Sequence, residues 1–230
     1  MTAFYLVRHG KTALNNDTST STDRIRGWKD VPLVAEGRET AKQTGEALKS
    51  KGIQVIVASD LSRGKETADI IGKIIGVKPT YTDKLRPWDL GELTGKSTKE
   101  AIPVIKEYIK QPDKPVPKGE SFNSFKHRTF TGLADAFDTA GTQKLCIVTH
   151  HRVERLIKSW LAAGQPSDHG LIDLKVFGEK GEPPGKWEVI SLNPSTLRKM
   201  RKESLRDSIS KSVKEVKNAP AKSQDKSKDE

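Results

Sequence analysis

Arg8, His9, Gly10, Lys11 and Thr12 follow directly on the apolar run Phe4, Tyr5, Leu6 and Val7. A neutral imidazole can attack phosphorus, and a guanidinium beside it can hold two phosphoryl oxygens in its planar fork. Glycine lets the backbone pass close to such an anion. Alone, Arg-His-Gly is equally compatible with a strand end bearing a surface arginine and a half-buried histidine. Two further segments change that balance. Ser59, Asp60, Leu61, Ser62 and Arg63 follow the apolar run 53–58, and Thr149, His150 and His151 follow the run 145–148. Arg8, His9, Arg63 and His150 thus stand at or just beyond the ends of three apolar runs. Phosphoryl transfer spreads negative charge over the equatorial oxygens, which fixed cations and imidazoles stabilise. His9 must be unprotonated to attack, with a partner such as a backbone carbonyl on its other ring nitrogen.

The elements that must position these groups read as alternating strands and helices. Strands are expected over 3–7, 53–58, 79–82, 144–149, 172–177 and 187–192, and helices near 36–50, 61–75, 121–137 and 153–163. A Ser/Asp cap after the second strand places Arg63 in the first turn of the following helix. Such alternation predicts an α/β fold: three layers, α/β/α, around a mainly parallel sheet with an antiparallel edge. Sites in such folds lie at the carboxyl edge of the sheet. The last two strands, joined through Gly181, Pro183, Pro184 and Gly185, are expected to pair as an antiparallel hairpin.

With these motifs in this order, the chain resembles the histidine phosphatase superfamily, also called the phosphoglycerate mutase-like family, over residues 4–192. Gly27, Trp28, Asp30, Pro32, Leu33 and Gly37 near the first helix, and Gly119, Glu120 and Ser121 before a later one, extend the likeness. The resemblance implies a phosphoglycerate mutase-like fold, phosphorylation of His9, and phosphoryl binding by Arg8, Arg63, His150 and Asn15, with no metal and no cofactor. Relatives carry a glutamate directly after a Leu-Arg or Leu-Asn pair, ahead of a Gly-x-x-x-Gly stretch. This chain has Pro87 there, after Leu85 and Arg86. Proline biases Arg86 toward extended geometry, so Asp89, two residues on, can face the same side and serve as the general acid. Glu92 is the second candidate, and a turn-capping Asp89 with no side-chain acid is the third reading. His151 and Arg152 replace glycines common in relatives. Their side chains diverge, which favours substrate contact or exposure over a paired metal site.

The segment 96–118 holds Lys99, Lys106, Lys110 and Lys114 and is short for a lid. A mutase must shield its intermediate from water, so a short lid favours hydrolysis. The expected activity is that of a metal-independent phosphomonoesterase acting on a small phosphorylated substrate. The alternatives are a phosphoglycerate-mutase-like isomerase and a catalytically weak phospho-ligand binding protein. About half of the net charge of +11 lies beyond Asn193. A catalytic domain over 1–193 and a basic tail over 194–230, partly helical or disordered, are expected. No aromatic residue interleaves the tail's cations, so no nucleic-acid partner is expected. No run approaches a membrane span and the first residues do not read as a signal sequence, which points to the cytoplasm. Cys146 is the single cysteine and reads as a core residue. Oligomeric state is not legible.

Overall fold

The computed structural model describes residues 2–14, 24–164, 172–178 and 183–192. Among them, β1 (Thr2–Arg8), β2 (Val55–Ser59), β3 (Thr80–Thr82), β4 (Leu145–Thr149) and β5 (Trp187–Leu192) form one sheet in the order β3-β2-β4-β1-β5. The pairs β2–β3, β2–β4 and β1–β4 are parallel, and β5 lies antiparallel on β1 at the edge. The helices among the described residues are α1 (Ala35–Leu48), α2 (Ser62–Ile75), α3 (Thr98–Lys110), α4 (Phe122–Ala140), α5 (His151–Ala162) and α6 (Leu174–Gly178).

Strand residues alternate between the two faces, and that alternation divides the core. Phe4, Leu6, Val57, Leu145 and Ile147 join the cluster built with α4 and α5, which includes Phe130, Leu133, Leu156 and Trp160. Val7, Ile56, Ala58, Cys146 and Val148 point the other way, onto Leu48 of α1 and Ala68 and Ile71 of α2. Both faces of β1, β2 and β4 are therefore covered. Cys146 is fully buried, and burial pushes its thiol pKa up to about 12.

The expected parallel sheet with an antiparallel edge is present, but its assembly differs from expectation in several places. Residues 172–177 do not form a strand: Asp173 Oδ1 accepts from the backbone N–H of Lys175 and Val176 (2.9 and 3.1 Å), starting α6 as a helix cap. The expected hairpin is therefore absent, and β5 takes β1 as its partner. The segment 96–118, where no helix is expected, contains α3. Finally, the cap on α2 comes from a distant loop. Asp30 accepts from Ser62 N (2.8 Å) and Ser62 Oγ (2.6 Å), whereas Asp60 is bound by Arg86 through Nε (2.7 Å) and Nη2 (2.5 Å). Asn15 and the tail 194–230 lie outside the described residues.

Candidate active site

Because β2, β4 and β1 are neighbours, their carboxyl ends bring Ser59, His150 and His9 to one rim. The N–H of His9 donates to the Thr149 carbonyl (2.9 Å), tying the residue after β1 to the last residue of β4. Gly10 N–H donates to Thr67 Oγ1 (3.0 Å), and that hydroxyl donates to the Arg63 carbonyl (2.7 Å), so the motif is also tied to α2. A Cβ on Gly10 would stand 2.4 Å from the Gly37 carbonyl oxygen. Glycine is what permits this close approach of α1.

His9 is buried, with Nδ1 2.7 Å from the Gly10 carbonyl oxygen. A carbonyl only accepts, so Nδ1 carries the hydrogen and Nε2 keeps its lone pair. Burial first, then the charges of Arg63, Arg26 and Arg8, hold the pKa of His9 well below the usual histidine value, against the opposing effect of the Gly10 bond. The ring is therefore neutral at neutral pH and has a nucleophilic nitrogen.

The His150 ring lies 5.0 Å from that of His9, centroid to centroid. Arg63 Nε donates to His150 Nδ1 (3.2 Å), so the other nitrogen, Nε2, bears the hydrogen and donates to Ser59 Oγ (2.8 Å). Burial first, then Arg63, keeps His150 neutral as well. Arg63 is 1% exposed. Its Nη1 donates to the Lys29 carbonyl (2.9 Å) and its Nη2 to the Gly27 carbonyl (3.1 Å). Burial, then Arg26, lowers its pKa to about 10, which leaves it charged at pH 7. This guanidinium is stripped of solvent, fixed on three sides and set beside another cation. Such a group is complementary to an anion. α2 and α5 both begin at this rim, and their N-termini add partial positive charge.

A cavity of about 440 Å³ opens over these groups. His9, Arg63, His150, Arg26, His151 and Arg152, with Arg24, Thr98 and Lys106, supply its polar lining, and among the described residues no carboxylate lines it. Burial, then Arg8, pushes His151 down to about 3, and burial, then Arg155, brings Arg152 to about 10. Arg8 does not line the cavity, but its charge acts on His9, His150 and His151.

Asp89 does not join this group. Pro87, Trp88 and Leu90 line the cavity, while the Asp89 carboxylate accepts from Gly91 N–H (3.1 Å) as a turn cap. Its own N–H and carbonyl are held by the Glu120 side chain (2.9 Å) and Glu120 N–H (3.1 Å). Extended geometry at Arg86 does follow from Pro87, with ψ 154°. The alternation expected beyond it does not hold: Pro87, Trp88 and Leu90 all line the cavity, and the Asp89 carboxylate turns to Gly91 instead. Glu92 is exposed and pairs with Lys118 (3.0 Å). Lys106 lines the cavity, whereas Lys99, Lys110 and Lys114 do not.

The pattern of the histidine phosphatase superfamily, branch 1, matches residues 4–176. The chain belongs to this superfamily. Among its superfamily relatives is the Salmonella arizonae protein "Probable phosphoglycerate mutase GpmB", 34% identical over 155 residues, covering 65% of this chain and 70% of that one. Solved structures agree on the fold. A phosphoglycerate mutase from Thermus thermophilus superposes with a TM-score of 0.58 at 28% identity, covering 82% of this chain and 92% of its own. A mycobacterial glucosyl-3-phosphoglycerate phosphatase in complex with VO3 gives 0.66 at 21% identity, covering 83% and 93%.

Within this superfamily member, sequence reasoning located His9, Arg63 and His150 together and left two contributors unassigned. Thr67 is one turn beyond Arg63 on α2, a spacing that places both on one helix face. Arg26 lies in an irregular loop between Arg24 and Gly27, where no period reveals its direction; its only signal is proximity to Gly27 and Trp28.

Proposed function

We propose that this superfamily member is a phosphomonoesterase in which His9 Nε2 attacks phosphorus. The observation that carries this reading is the neutral, tautomer-fixed His9 lining one cavity with a buried guanidinium, with no carboxylate on the cavity surface among the described residues. In the first displacement the Nε2–P bond forms as the ester P–O bond breaks, and the leaving oxygen departs as phenoxide or alkoxide, which takes a proton from water. In the second, water attacks phosphorus, the N–P bond breaks, and phosphate departs with His9 restored. Arg63, aided by Arg26 and Arg8, balances the charge on the equatorial oxygens in both steps. His150 positions Arg63 from the side. No cation is needed for this charge balance, so chelation is expected to leave turnover unchanged.

Asp89 is committed to Gly91, so a phenolic leaving group, which needs little protonation, suits the described site better than an alkoxide. Turnover of p-nitrophenyl phosphate to free phosphate, abolished in His9→Ala, is the expected result. Interconversion of 2- and 3-phosphoglycerate without phosphate release would assign the chain to the mutases instead. Binding of phosphate without turnover of any ester would make it a phospho-ligand binding protein.

A further inference from the structure

The α3 side of the cavity has a different chemistry from the cationic floor: isoleucines predominate there, with Thr98 and Lys106 among them. Ile102, Ile105 and Ile109 lie on one face of α3, and with Phe177, Ile25 and Trp88 they line the same cavity as His9 and Arg63. Ile105 and Phe177 are seated in the core, while Ile102 is 41% exposed at the opening. This wall is held in place before any ligand arrives. The start of α3 has a reciprocal Ser97–Glu100 capping box, and Ile25 N–H donates to the Lys96 carbonyl (3.0 Å) while Gly95 N–H donates to the Ile25 carbonyl (2.7 Å). Beyond its end, Asn123 donates through its backbone to the Pro112 carbonyl (2.9 Å) and through Nδ2 to Asp113 (2.6 Å). At about 440 Å³ the cavity also exceeds what a phosphoryl group fills, since that group displaces only a few waters of ~30 Å³ each.

We infer that the α3 face and Phe177 form a subsite for an apolar, ring-bearing leaving group, making aryl phosphomonoesters the preferred substrate class. The inference rests on the phosphatase reading and adds to it a specificity the cationic floor cannot supply. The phosphoryl end is held by charge. The other end gains by removing apolar surface from water, on the ligand and on Ile102 alike.

The test compares phenyl phosphate with 2-naphthyl phosphate, two aryl esters with similar leaving groups and different apolar area, using the full chain. The second ring should raise kcat/KM about tenfold, chiefly through KM, since added apolar contact of this size gives discrimination of that order. Ile102→Ser should reduce the naphthyl preference severalfold. Val104→Ser is the control, because Val104 is on α3 and equally exposed, at 40%, yet does not line the cavity; its preference should match the parent. Equal kcat/KM for the two esters in an active enzyme would overturn the inference and leave the phosphatase reading intact. Equal loss of preference in both variants would remove the assignment to the α3 face. Failure to hydrolyse either ester would instead count against the phosphatase reading itself.

Discussion

At the residue scale, two bonds fix tautomers, Gly10 O on His9 Nδ1, the proposed nucleophile's ring, and Arg63 Nε on His150 Nδ1. His9→Ala should lower kcat by about a thousandfold or more while leaving the unfolding transition in place, as steady-state kinetics and circular dichroism would show. Asp89→Asn separates acid from cap. A lost general acid costs about a hundredfold or more on an alkyl phosphate and little on p-nitrophenyl phosphate. The capping geometry predicts less than about threefold change on either ester, and a loss confined to the alkyl ester would assign Asp89 as the proton donor. The positions of His9 and Arg63 were legible because strand ends and helix starts are local signals. The place of Asp89 was not, since it depends on Glu120, whose side chain and backbone seize the Asp89 peptide from a distant part of the chain.

The element that mounts Arg63 is the loop around Gly27 and Lys29, whose carbonyls accept from both of its terminal nitrogens. Trp28 anchors this loop. The guanidiniums of Arg86 (4.7 Å) and Arg128 (5.4 Å) both lie over its ring, and its Nε1 donates to the Pro87 carbonyl (2.8 Å). The carbonyl of the residue that replaces the family glutamate thus belongs to a clamp. Trp28→Phe keeps the ring stack and removes the bond, so it should cost about 1 kcal/mol in denaturant unfolding and lower kcat/KM for p-nitrophenyl phosphate several-fold. Trp28→Ala should be worse in both measurements. Loss of stability with unchanged kinetics would show that the loop does not position Arg63. At this scale the parallel strands and the helices after β1, β2 and β4 were readable from period and caps. α3 was not, although Ser97, Glu100 and the isoleucines at 102, 105 and 109 carry a helix signature, because Pro103 interrupts the run and Pro112, Pro115 and Pro117 follow it. The segment 172–177 misled through its β-favouring composition, which the Asp173 cap overrides.

Across the whole molecule, neutral histidines and several arginines converge on one rim, so stability and anion binding are linked to pH. The folded-state pKa values of His9, His150 and His151 are lowered, chiefly by burial. The unfolded chain therefore binds more protons than the folded one below about pH 6.5. Stability is full above that pH and falls as pH drops, by about 1 kcal/mol per histidine between roughly pH 6.5 and 5.5. Calorimetry should show Tm declining over this window and recovering when phosphate is added, since an anion that binds only the folded state opposes the loss. A flat Tm across it would mean that the rim is open to water. The division of labour between a catalytic domain and a basic tail can be checked by deleting 195–230, which should leave p-nitrophenyl phosphate turnover within about twofold because every group assigned to chemistry precedes it. The central claim, a covalent intermediate on His9, is tested most directly by rapid quenching of the enzyme during turnover of a radiolabelled aryl phosphate. An acid-labile, base-stable phosphoryl label that maps to His9 and is released as phosphate at the rate of turnover is the expected result. Full turnover with no label on His9 at any quench time, together with inversion at phosphorus, would contradict it.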